Sequence, residues 1–522
     1  MTHSLPQSTL RPNSLEFWAA ARPTTAAIFE EDRVLTWGEW NAASDRLAQA
    51  LCDRGIQAGD VVGMSCQIRS EWAVLWGALS KLGCRMLGVN WRLTAAEVEF
   101  ILSNSQAAAF FCDGTSPAAL LPAIGSLKLK LRVSIDEAAD GFESWASLLS
   151  GPAVPRLSAQ DASNVVYTSG TTGFPKGVVS RQPQTDEERR NWQEYMASNL
   201  GRIPRKDGDV SLVTLPFSHG AGPNFVRCTV AAGNAMVLQR RFDPQDVLRL
   251  IERHRVSIWV AVPTMLKRLA ALPKAVLDRH DLSSLNTIET GAAPVPRSLK
   301  DWVVRTFGSQ VLHETYGASE LGMVAHLTPE MQAVKPASSG LPLRHVQIRV
   351  RDPQGHDLPA RQAGELWVRT PMTIRAYLNA PPLDRSVLDE DGFFRIGDVG
   401  YVDEDGFIYI TDRVKDMIIS GGVNIYPAEI EAALYQHPAV QDVAVIGVPD
   451  DDFGERAHAF VELKPGQGLS GETLLAFVAD KLASYKRPKH ISFVDQLPRN
   501  AMGKITKSEL RSPFWAGRER AV

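Results

Sequence analysis

Short β-like runs alternate with helical patterns through most of the chain. Apolar runs such as "VVGMSC" and "AAAFFC" lie between amphipathic stretches such as "TWGEWNAASDRLAQALCDRG". The alternation continues through "VSLVTLPF", "AMVLQ", "VSIWVAVP" and "LNTIETG". Because strands that alternate with helices form parallel sheets covered by helices, the pattern predicts an α/β fold. Polar and glycine-rich sequence follows several runs, and such sheets bind ligands at the carboxyl ends of their strands.

The pattern changes twice toward the C-terminus. Beyond Gly340, short aromatic-rich strands separated by Gly and Asp turns predict a β-rich subdomain. From Asp412 onward, helices and strands mix in a smaller unit. A chain of 522 residues is also too long for one core. We therefore predict two domains. Residues 1–411 form a large N-terminal domain of parallel and mixed sheets with covering helices and the β-rich subdomain, and residues 412–522 form a small α+β C-terminal domain.

Composition limits the partners. The formal net charge of −3 argues against a large basic surface for nucleic acid or anionic lipid. The cysteines have no CxxC spacing and are expected to be reduced thiols. No charged start followed by an apolar run marks a signal peptide, and no run of about 20 apolar residues predicts a membrane span. We expect a cytoplasmic monomer or homodimer that binds small molecules.

The stretch "YTSGTTGFPKGVV", residues 167–179, follows the β-like run "NVVYT". Its glycines let backbone N–H groups turn toward an anion, its hydroxyls donate hydrogen bonds, and Lys176 adds a positive charge. This combination suits a polyphosphate. It is not the GxxxxGK[ST] loop of P-loop kinases, since Pro175 stands where that pattern needs glycine.

Further motifs follow this loop in a fixed order. They are "YGASE" (residues 316–320), "GELWVR" (364–369), "FRIGDVGYVDEDGFIYITDRVKDMIISGGVNIYPAEIE" (394–431) and "LPRNAMGKITK" (497–507). Together with the loop they resemble the adenylate-forming superfamily, in its branch of AMP-forming acyl- and aryl-CoA synthetases. The resemblance runs from about Leu15 to Lys507.

The resemblance implies an acid–thiol ligase that uses ATP, Mg²⁺ and coenzyme A. The acid would displace pyrophosphate from ATP to give an acyl-adenylate, and a thiol would then displace AMP. In the first step an anion approaches a polyanion. Cations near the α-phosphate are therefore expected to do most to lower the activation barrier of that step. The resemblance implies these catalytic residues: Lys504, Glu320, Lys176 and Thr171. Glu320 would also hold the metal, because Mg²⁺ often takes one carboxylate with phosphate oxygens and water.

The resemblance also implies the ATP- and AMP-binding positions. Tyr316 would stack on adenine, and Asp398 would accept from both ribose hydroxyls. The full set is Thr168, Ser169, Gly170, Thr172, Gly173, Gly291, Ala292, Ala293, Glu314, Thr315, Tyr316, Gly317, Ser319, Asp398, Ile410 and Arg413.

Lys415 occupies the family's hinge position, which implies a mobile C-terminal domain with two poses. In the first pose Lys504 faces the site. In the second, the opposite face meets the thiol. The CoA-side residues implied are Ser420, Gly421, Gly422 and Lys486, although the basic turn "YKRPK" that contains Lys486 is equally typical of a solvated surface.

The implied acyl pocket is lined by His219, Ala221, Val262, Gly317, Ala318 and Met323. Small residues here and no bulky tryptophan in "YGASE" favour a medium or bulky hydrophobic acid, whether fatty, aryl or polycyclic. One departure from the family is plain. After "PKGVV" the chain continues "SRQPQTDEERRNWQEY", residues 180–195, so the lid or pocket entrance is expected to differ there.

Three hypotheses remain open. Only fifteen residues follow Lys507, too few for a carrier domain, which favours CoA as the acceptor. The first alternative is a stand-alone adenylating enzyme that loads a separate carrier protein. The second is a nucleotide-binding regulator with a decayed site, against which the retained Lys504, Glu320, Asp398 and Lys176 argue.

Overall fold

The computed structural model describes residues 10–114, 116–168, 175–421, 423–500 and 503–516. Its strands, in chain order, are β1 (Ala26–Glu30), β2 (Arg33–Thr36), β3 (Val61–Ser65), β4 (Arg85–Val89), β5 (Ala109–Cys112), β6 (Leu131–Ser134), β7 (Glu143–Ser144), β8 (Ser163–Thr168), β9 (Lys176–Val179), β10 (Val210–Val213), β11 (Ala235–Leu238), β12 (Ile258–Ala261), β13 (Thr287–Gly291), β14 (Leu312–Ala318), β15 (Gly322–Leu327), β16 (Leu341–Pro342), β17 (Gln347–Arg351), β18 (Gly364–Arg369), β19 (Phe394–Val402), β20 (Ile408–Arg413), β21 (Ile418–Ser420), β22 (Val423–Ile425), β23 (Val440–Asp450), β24 (Gly454–Leu463) and β25 (His490–Val494).

The α-helices, in chain order, are α1 (Leu15–Ala21), α2 (Trp37–Asp53), α3 (Ser70–Leu82), α4 (Ala95–Asn104), α5 (Ser116–Ile124), α6 (Trp145–Leu148), α7 (Asp186–Gly201), α8 (Ala221–Ala231), α9 (Pro244–His254), α10 (Pro263–Ala270), α11 (Lys274–Leu277), α12 (Arg297–Phe307), α13 (Pro329–Val334), α14 (Pro427–Leu434), α15 (Gly471–Phe477) and α16 (Lys507–Arg511). Local sequence fixes several starts. Thr36 and Glu39 form a capping box at α2, and Asp243 caps α9 ahead of Pro244.

Two large sheets form the N-terminal part. The seven-stranded sheet has the order β7-β6-β5-β3-β4-β8-β9 and is parallel except for the hairpin of β8 and β9. The nine-stranded sheet has the order β16-β15-β14-β13-β12-β10-β11-β1-β2, with a parallel centre from β1 to β14. β3 is buried at every position, as expected for a parallel strand covered on both faces.

The two large sheets share one hydrophobic core. Trp72 of α3 stacks on Phe217 with ring centroids 4.2 Å apart. Gly88 of β4 lies so close to this loop that an added Cβ would be 2.3 Å from the Phe217 carbonyl oxygen. The segment that leads to His219 is therefore held directly against the seven-stranded sheet.

Two smaller sheets follow. β17 to β20 form a four-stranded antiparallel sheet, which is the predicted β-rich subdomain. The last sheet has the order β22-β21-β24-β23, with β25 parallel to β24, and its core packs α14 and α15. The predicted α/β class, with parallel and mixed sheets, a β-rich subdomain and a C-terminal unit, is confirmed. Asp412 is the penultimate residue of β20, and the domain boundary proposed there stays a prediction.

Helix α15 is shorter than its sequence pattern indicates. The helical pattern "GETLLAFVADKL", residues 471–482, is helical only as far as Phe477. Beyond it, the Arg487 guanidinium donates to the carbonyl oxygens of Ala479 and Leu482. These carbonyls are satisfied outside a helix, so the helix ends early.

Among the described helices, none combines the length and apolar character needed to cross a bilayer. The cytoplasmic location and the oligomeric state stay predictions.

We predict that Gly88→Ala destabilises the protein by about 1–3 kcal/mol, because the new methyl group would force the backbone of residues 217–218 to move. The measurement is the midpoint of urea unfolding. Gly151→Ala is the matched control, since an added Cβ there meets nothing within 4 Å. Equal midpoints for the two variants would contradict the close packing of this loop.

Candidate active site

The parallel strands β13 and β14 end side by side. Gly291 pairs with Thr315, and a Cβ at Gly291 would lie 2.4 Å from the Thr315 carbonyl oxygen, so only glycine fits. Ala292 follows in the left-handed region with φ of 64°. The chain thus turns sharply at this strand end, which is where parallel sheets place ligand sites.

Asp398 joins two elements at this edge. The Tyr316 hydroxyl donates to Asp398 Oδ2 at 2.7 Å, and Arg413 Nε donates to Asp398 Oδ1 at 2.8 Å. The carboxylate therefore ties the nine-stranded sheet to the four-stranded sheet. Burial, and then the Asp398 charge, raise the pKa of Tyr316 well above its usual value, so the phenol stays protonated.

Lys504 lies against this cluster. Burial, and then repulsion by Arg413, lower the pKa of Lys504 to about 8, and Lys415 adds to the effect. The turn before it rests on α10, where Thr264 Oγ1 donates to the Gly503 carbonyl oxygen at 2.7 Å. The predicted catalytic lysine, ribose aspartate and hinge residue are therefore brought together, although they lie up to 106 positions apart in the chain.

His219 is the next group along the same cleft. Its imidazole accepts from the Ala221 N–H at 3.3 Å, so Nδ1 is unprotonated in that contact. Burial, and then the Lys504 charge, lower the pKa of His219 to about 4. The ring is therefore neutral at physiological pH and offers no positive charge to an acid.

The predicted phosphate-loop lysine and the predicted metal ligand meet at one aromatic ring. Lys176 pairs with Thr168 across the β8–β9 hairpin, and its Nζ lies 5.1 Å from the Tyr377 ring centroid. The Tyr377 hydroxyl donates to Glu320 Oε1 at 3.2 Å. The other predicted loop positions, Ser169, Gly170, Thr171, Thr172 and Gly173, lie outside the described residues.

The remaining predicted nucleotide positions lie around these strand ends. Ala293 is in the β13–α12 connection, Ser319 is in the turn after β14, and Ile410 pairs with Gly400. Gly317 faces β15 closely, since an added Cβ would be 2.5 Å from the Gly322 carbonyl oxygen. The carboxylate of Glu314, another predicted nucleotide-binding residue, pairs with Lys300 of α12 at 2.5 Å.

A cavity of about 70 Å³ extends inward from Gly291, Ala292 and Thr315. Three predicted acyl-pocket residues line it, namely Ala221, Val262 and Met323. His219, Gly317 and Ala318 do not. The other lining residues are Arg202, Leu215, Asn224, Phe225, Val260, Ala261, Glu289 and Thr290.

The sequence interpretation missed the charged pair in this lining. Arg202 Nη2 lies 2.6 Å from Glu289 Oε1, and both side chains are about 5% exposed. The available signal was a glutamate inside the apolar strand "TIETG". The divergent residues 180–195 run into α7, and Arg202 follows the end of that helix. Tyr195 of α7 donates to the Met323 carbonyl oxygen at 2.8 Å. The divergent segment therefore contacts the cavity wall through Tyr195.

The predicted CoA-side residues make contacts within the C-terminal unit. Ser420 pairs with Gly454 across β21 and β24, and the Gly421 N–H donates to the Phe453 carbonyl oxygen at 2.7 Å. Lys486 Nζ lies 2.7 Å from the Glu429 carboxylate. Gly422 lies outside the described residues. Among the described contacts, none joins these residues to Asp398.

A buried ion cluster fastens the C-terminal unit to α10. Lys267 Nζ lies 2.9 Å from Asp442 Oδ1 and donates to the Tyr435 hydroxyl at 2.7 Å. Arg499 Nη2 lies 2.5 Å from Asp442 Oδ2. Asp442 is 1% exposed, so removing a partner would leave a costly buried charge. This cluster holds the Lys504 turn over the strand ends.

Comparison with known proteins agrees with this geometry. The sequence model of the family described as AMP-binding enzyme matches residues 15–378, and that of the AMP-binding enzyme C-terminal domain matches residues 429–504. The chain belongs to the AMP-binding enzyme family. The predicted resemblance to adenylate-forming acyl- and aryl-CoA ligases is thereby confirmed.

Three relatives show the range of this family. The chain is 33% identical over 524 residues to the fatty acid–[acyl-carrier-protein] ligase ScoC of Streptomyces coeruleorubidus, with 99% of each chain covered. It is 34% identical to 4-coumarate–CoA ligase 5 of Oryza sativa subsp. japonica, over 92% of this chain and 90% of that one. The solved structure of the amide bond synthetase McbA from Marinactinospora thermotolerans matches with a TM-score of 0.81 and 31% identity, over 94% and 97% of the two chains.

The proximity of Lys504 to His219 in this AMP-binding enzyme can be measured. We predict that Lys504→Met raises the pKa of His219 above its value of about 4, because a nearby positive charge is lost while burial remains. The readout is NMR titration of ¹⁵N-histidine-labelled protein. His458 is the internal control, since its pKa of about 4 arises from burial, His490 and Arg456 and should not change. An unchanged His219 would contradict the placement of Lys504.

Proposed function

We propose that the protein is an acid–CoA ligase that activates a hydrophobic carboxylic acid with ATP. In the first half-reaction the acid oxygen bonds to the α-phosphorus, pyrophosphate leaves, and an acyl-adenylate forms. In the second, the CoA thiol bonds to the acyl carbon and AMP leaves. The single observation that supports this most is the convergence of Lys504, Arg413 and Asp398 beside Tyr316 of β14.

The chemistry assigned to this cluster is electrostatic. Arg413 and Lys504 place positive charge where an anionic acid meets an anionic phosphate, and fixed charges in a water-poor site stabilise such a transition state strongly. With a pKa of about 8, Lys504 is still mainly protonated at pH 7. In this proposal Lys504 bridges the acid carboxylate and the α-phosphate.

Asp398 and Tyr316 are proposed to position the nucleoside. Asp398 would accept from the ribose hydroxyls, and the Arg413 guanidinium keeps its carboxylate in place. Tyr316 is proposed to face adenine, with its ring orientation fixed by the bond to Asp398. Gly291 and Ala292 are proposed to line the other side of the base with backbone.

The ATP phosphates and Mg²⁺ are assigned to the opposite side. Lys176 would steady the phosphates that leave as pyrophosphate, together with Thr168 and the loop residues beyond it. Among the described residues, no group of three or more His, Cys, Asp or Glu side chains is placed to hold a metal. Glu320 fits a Mg²⁺ that takes its other ligands from phosphate and water.

The pose of the C-terminal unit suits the first half-reaction. Lys504 lies at the cluster, and the Lys267–Asp442–Arg499 contacts stabilise that placement. Rotation about Lys415 is proposed to withdraw Lys504 and present Ser420, Gly421, Gly422 and Lys486 to the thiol. Breaking the buried contacts of Asp442 would then be part of the cost of switching.

The cavity favours an acid of moderate size within the predicted range. A cavity of about 150 Å³ holds benzene, so about 70 Å³ accommodates a short chain or part of a ring without rearrangement. A polycyclic acid would require Phe225 or Met323 to move.

A panel of carboxylic acids tests the proposal. With purified protein, ATP and Mg²⁺, we expect some medium-sized acids to drive ATP–pyrophosphate exchange without CoA and multiple-turnover AMP release with CoA. Exchange without CoA-dependent release, and release restored by a carrier protein bearing a phosphopantetheine thiol, would favour the carrier-loading alternative. No exchange with any acid would refute adenylation.

The role of Lys504 is tested by separating the half-reactions. We predict that Lys504→Ala lowers the rate of acyl-adenylate formation by at least about 100-fold, as expected for loss of one fixed charge at the reacting phosphate. Thioester formation from supplied acyl-adenylate and CoA should persist. Lys128→Ala, at an exposed lysine of the N-terminal part, is the control. Equal loss of both half-reactions would contradict the two-pose assignment.

A further inference from the structure

The inner end of the cavity is polar, although its walls are apolar. Glu289 of β13 lines this end and is 3% exposed. It shares a face of the sheet with Val260, its partner in β12, whereas the side chain of Thr290 is on the opposite face. Glu289 Oε2 has no hydrogen-bond partner among the described residues. Leaving such buried groups unpaired is costly, so the arrangement points to a partner that enters the cavity.

Arg202 fixes the direction of the Glu289 carboxylate. Its Nη2 donates to Glu289 Oε1, and its Nη1 is held by the backbone and side-chain oxygens of Asn199. The second carboxylate oxygen is thereby left for another donor. Arg202 Nε is also unpaired among the described residues. Burial acts to raise the pKa of Glu289, but the positive charges of Arg202 and Arg205 outweigh this effect. The pKa is therefore lowered overall, and the carboxylate is ionised.

These charges discriminate among polar groups. A second carboxylate on the substrate would be repelled by the Glu289 oxygen. An ammonium would meet the guanidinium of Arg202, with Arg205 behind it. A neutral hydroxyl meets both requirements, since it can donate to Glu289 Oε2 and accept from Arg202 Nε.

The rest of the cavity sets where that hydroxyl must be. Phe225, Val260, Val262 and Met323 form apolar walls between the polar end and Gly291. Gly291 lies at the strand end beside the Lys504 cluster, where the reacting carboxylate belongs. The substrate would therefore have a carboxylate at one end, a short apolar body, and a hydroxyl at the other end.

We propose, resting on the function proposed above, that the acyl substrate is a hydroxylated monocarboxylic acid whose distal hydroxyl donates to Glu289 Oε2. Glu289 is then a specificity-determining residue, and Arg202 is the positioning residue that orients it. An apolar acid of the same shape would bury Glu289 Oε2 without a partner.

Matched acid pairs test this. ATP–pyrophosphate exchange is measured with 3-phenylpropanoate against its 3- and 4-hydroxyphenyl analogues, and with hexanoate against 6-hydroxyhexanoate. We expect at least one hydroxylated acid to exceed its partner in kcat/KM by roughly 10- to 100-fold, because the apolar partner leaves a buried acceptor unpaired.

Two variants test the residues. Glu289→Gln should reduce the preference for the hydroxyl, because its amide oxygen can still accept from Arg202 while an NH₂ donor replaces the Oε2 acceptor. The double variant Arg202→Met and Glu289→Leu replaces the ion pair by apolar side chains of similar size, a change that proteins often tolerate, and should reverse the preference. Thr287→Val on the same strand lies outside the cavity lining and is the matched control.

The outcomes are distinguishable. One outcome is robust exchange in which every unsubstituted acid equals its hydroxylated partner in kcat/KM. That result would overturn this inference and leave the ligase proposal intact, and the polar end would then hold only water. A preference that survives both variants would overturn the assignment to Glu289. Absence of exchange with every acid would refute the ligase proposal, and this inference with it.

Discussion

The carboxylate of Asp398 is the contact on which the site depends. It holds Tyr316 of the nine-stranded sheet and Arg413 at the end of the four-stranded sheet. Positive side chains outnumber it locally, because Lys504 and Lys415 lie near Arg413. Burial, and then the Arg413 charge, lower the pKa of both lysines. The nearby Asp416 is engaged by Arg511 at 2.8 Å. Such crowding of cations is unfavourable without an anion and favourable with a polyphosphate, so the electrostatic cost of the free site contributes to nucleotide affinity.

The position of Lys504 is set by contacts at some distance from the chemistry. The Lys504 turn rests on Thr264, and two residues of the same interface, Lys267 and Arg499, share the buried carboxylate of Asp442. Because buried ion pairs are costly to break yet add little net stability, they suit an interface that must have one definite arrangement. A hinge at Lys415 would then move between states that differ in these contacts.

Sequence alone predicted the parts of the fold and site that local patterns encode. The alternation of strands and helices gave the α/β class, and the ordered motifs identified Asp398, Arg413, Tyr316 and Lys504, which the structure brings together. The polar end of the cavity was not predicted. Arg202 follows a helix whose sequence departs from the family, and Glu289 is unusual only because a parallel strand buries it. Their pairing joins residues 87 positions apart, so no local spacing encodes it.

The three relatives are named for different reactions, namely ligation to an acyl-carrier protein, ligation to CoA and synthesis of an amide bond. Each nevertheless resembles this chain over most of its length. A physical reason is available. Adenylation needs fixed cations at a phosphate, whereas an acyl-adenylate already has a good leaving group and needs only a nucleophile in the correct place. The acceptor is then selected by surface chemistry outside the Asp398 cluster. Here Lys486 is paired with Glu429, so a CoA phosphate that used this lysine would have to compete with that carboxylate. Exposed pairs of this kind are weak, which makes such an exchange feasible.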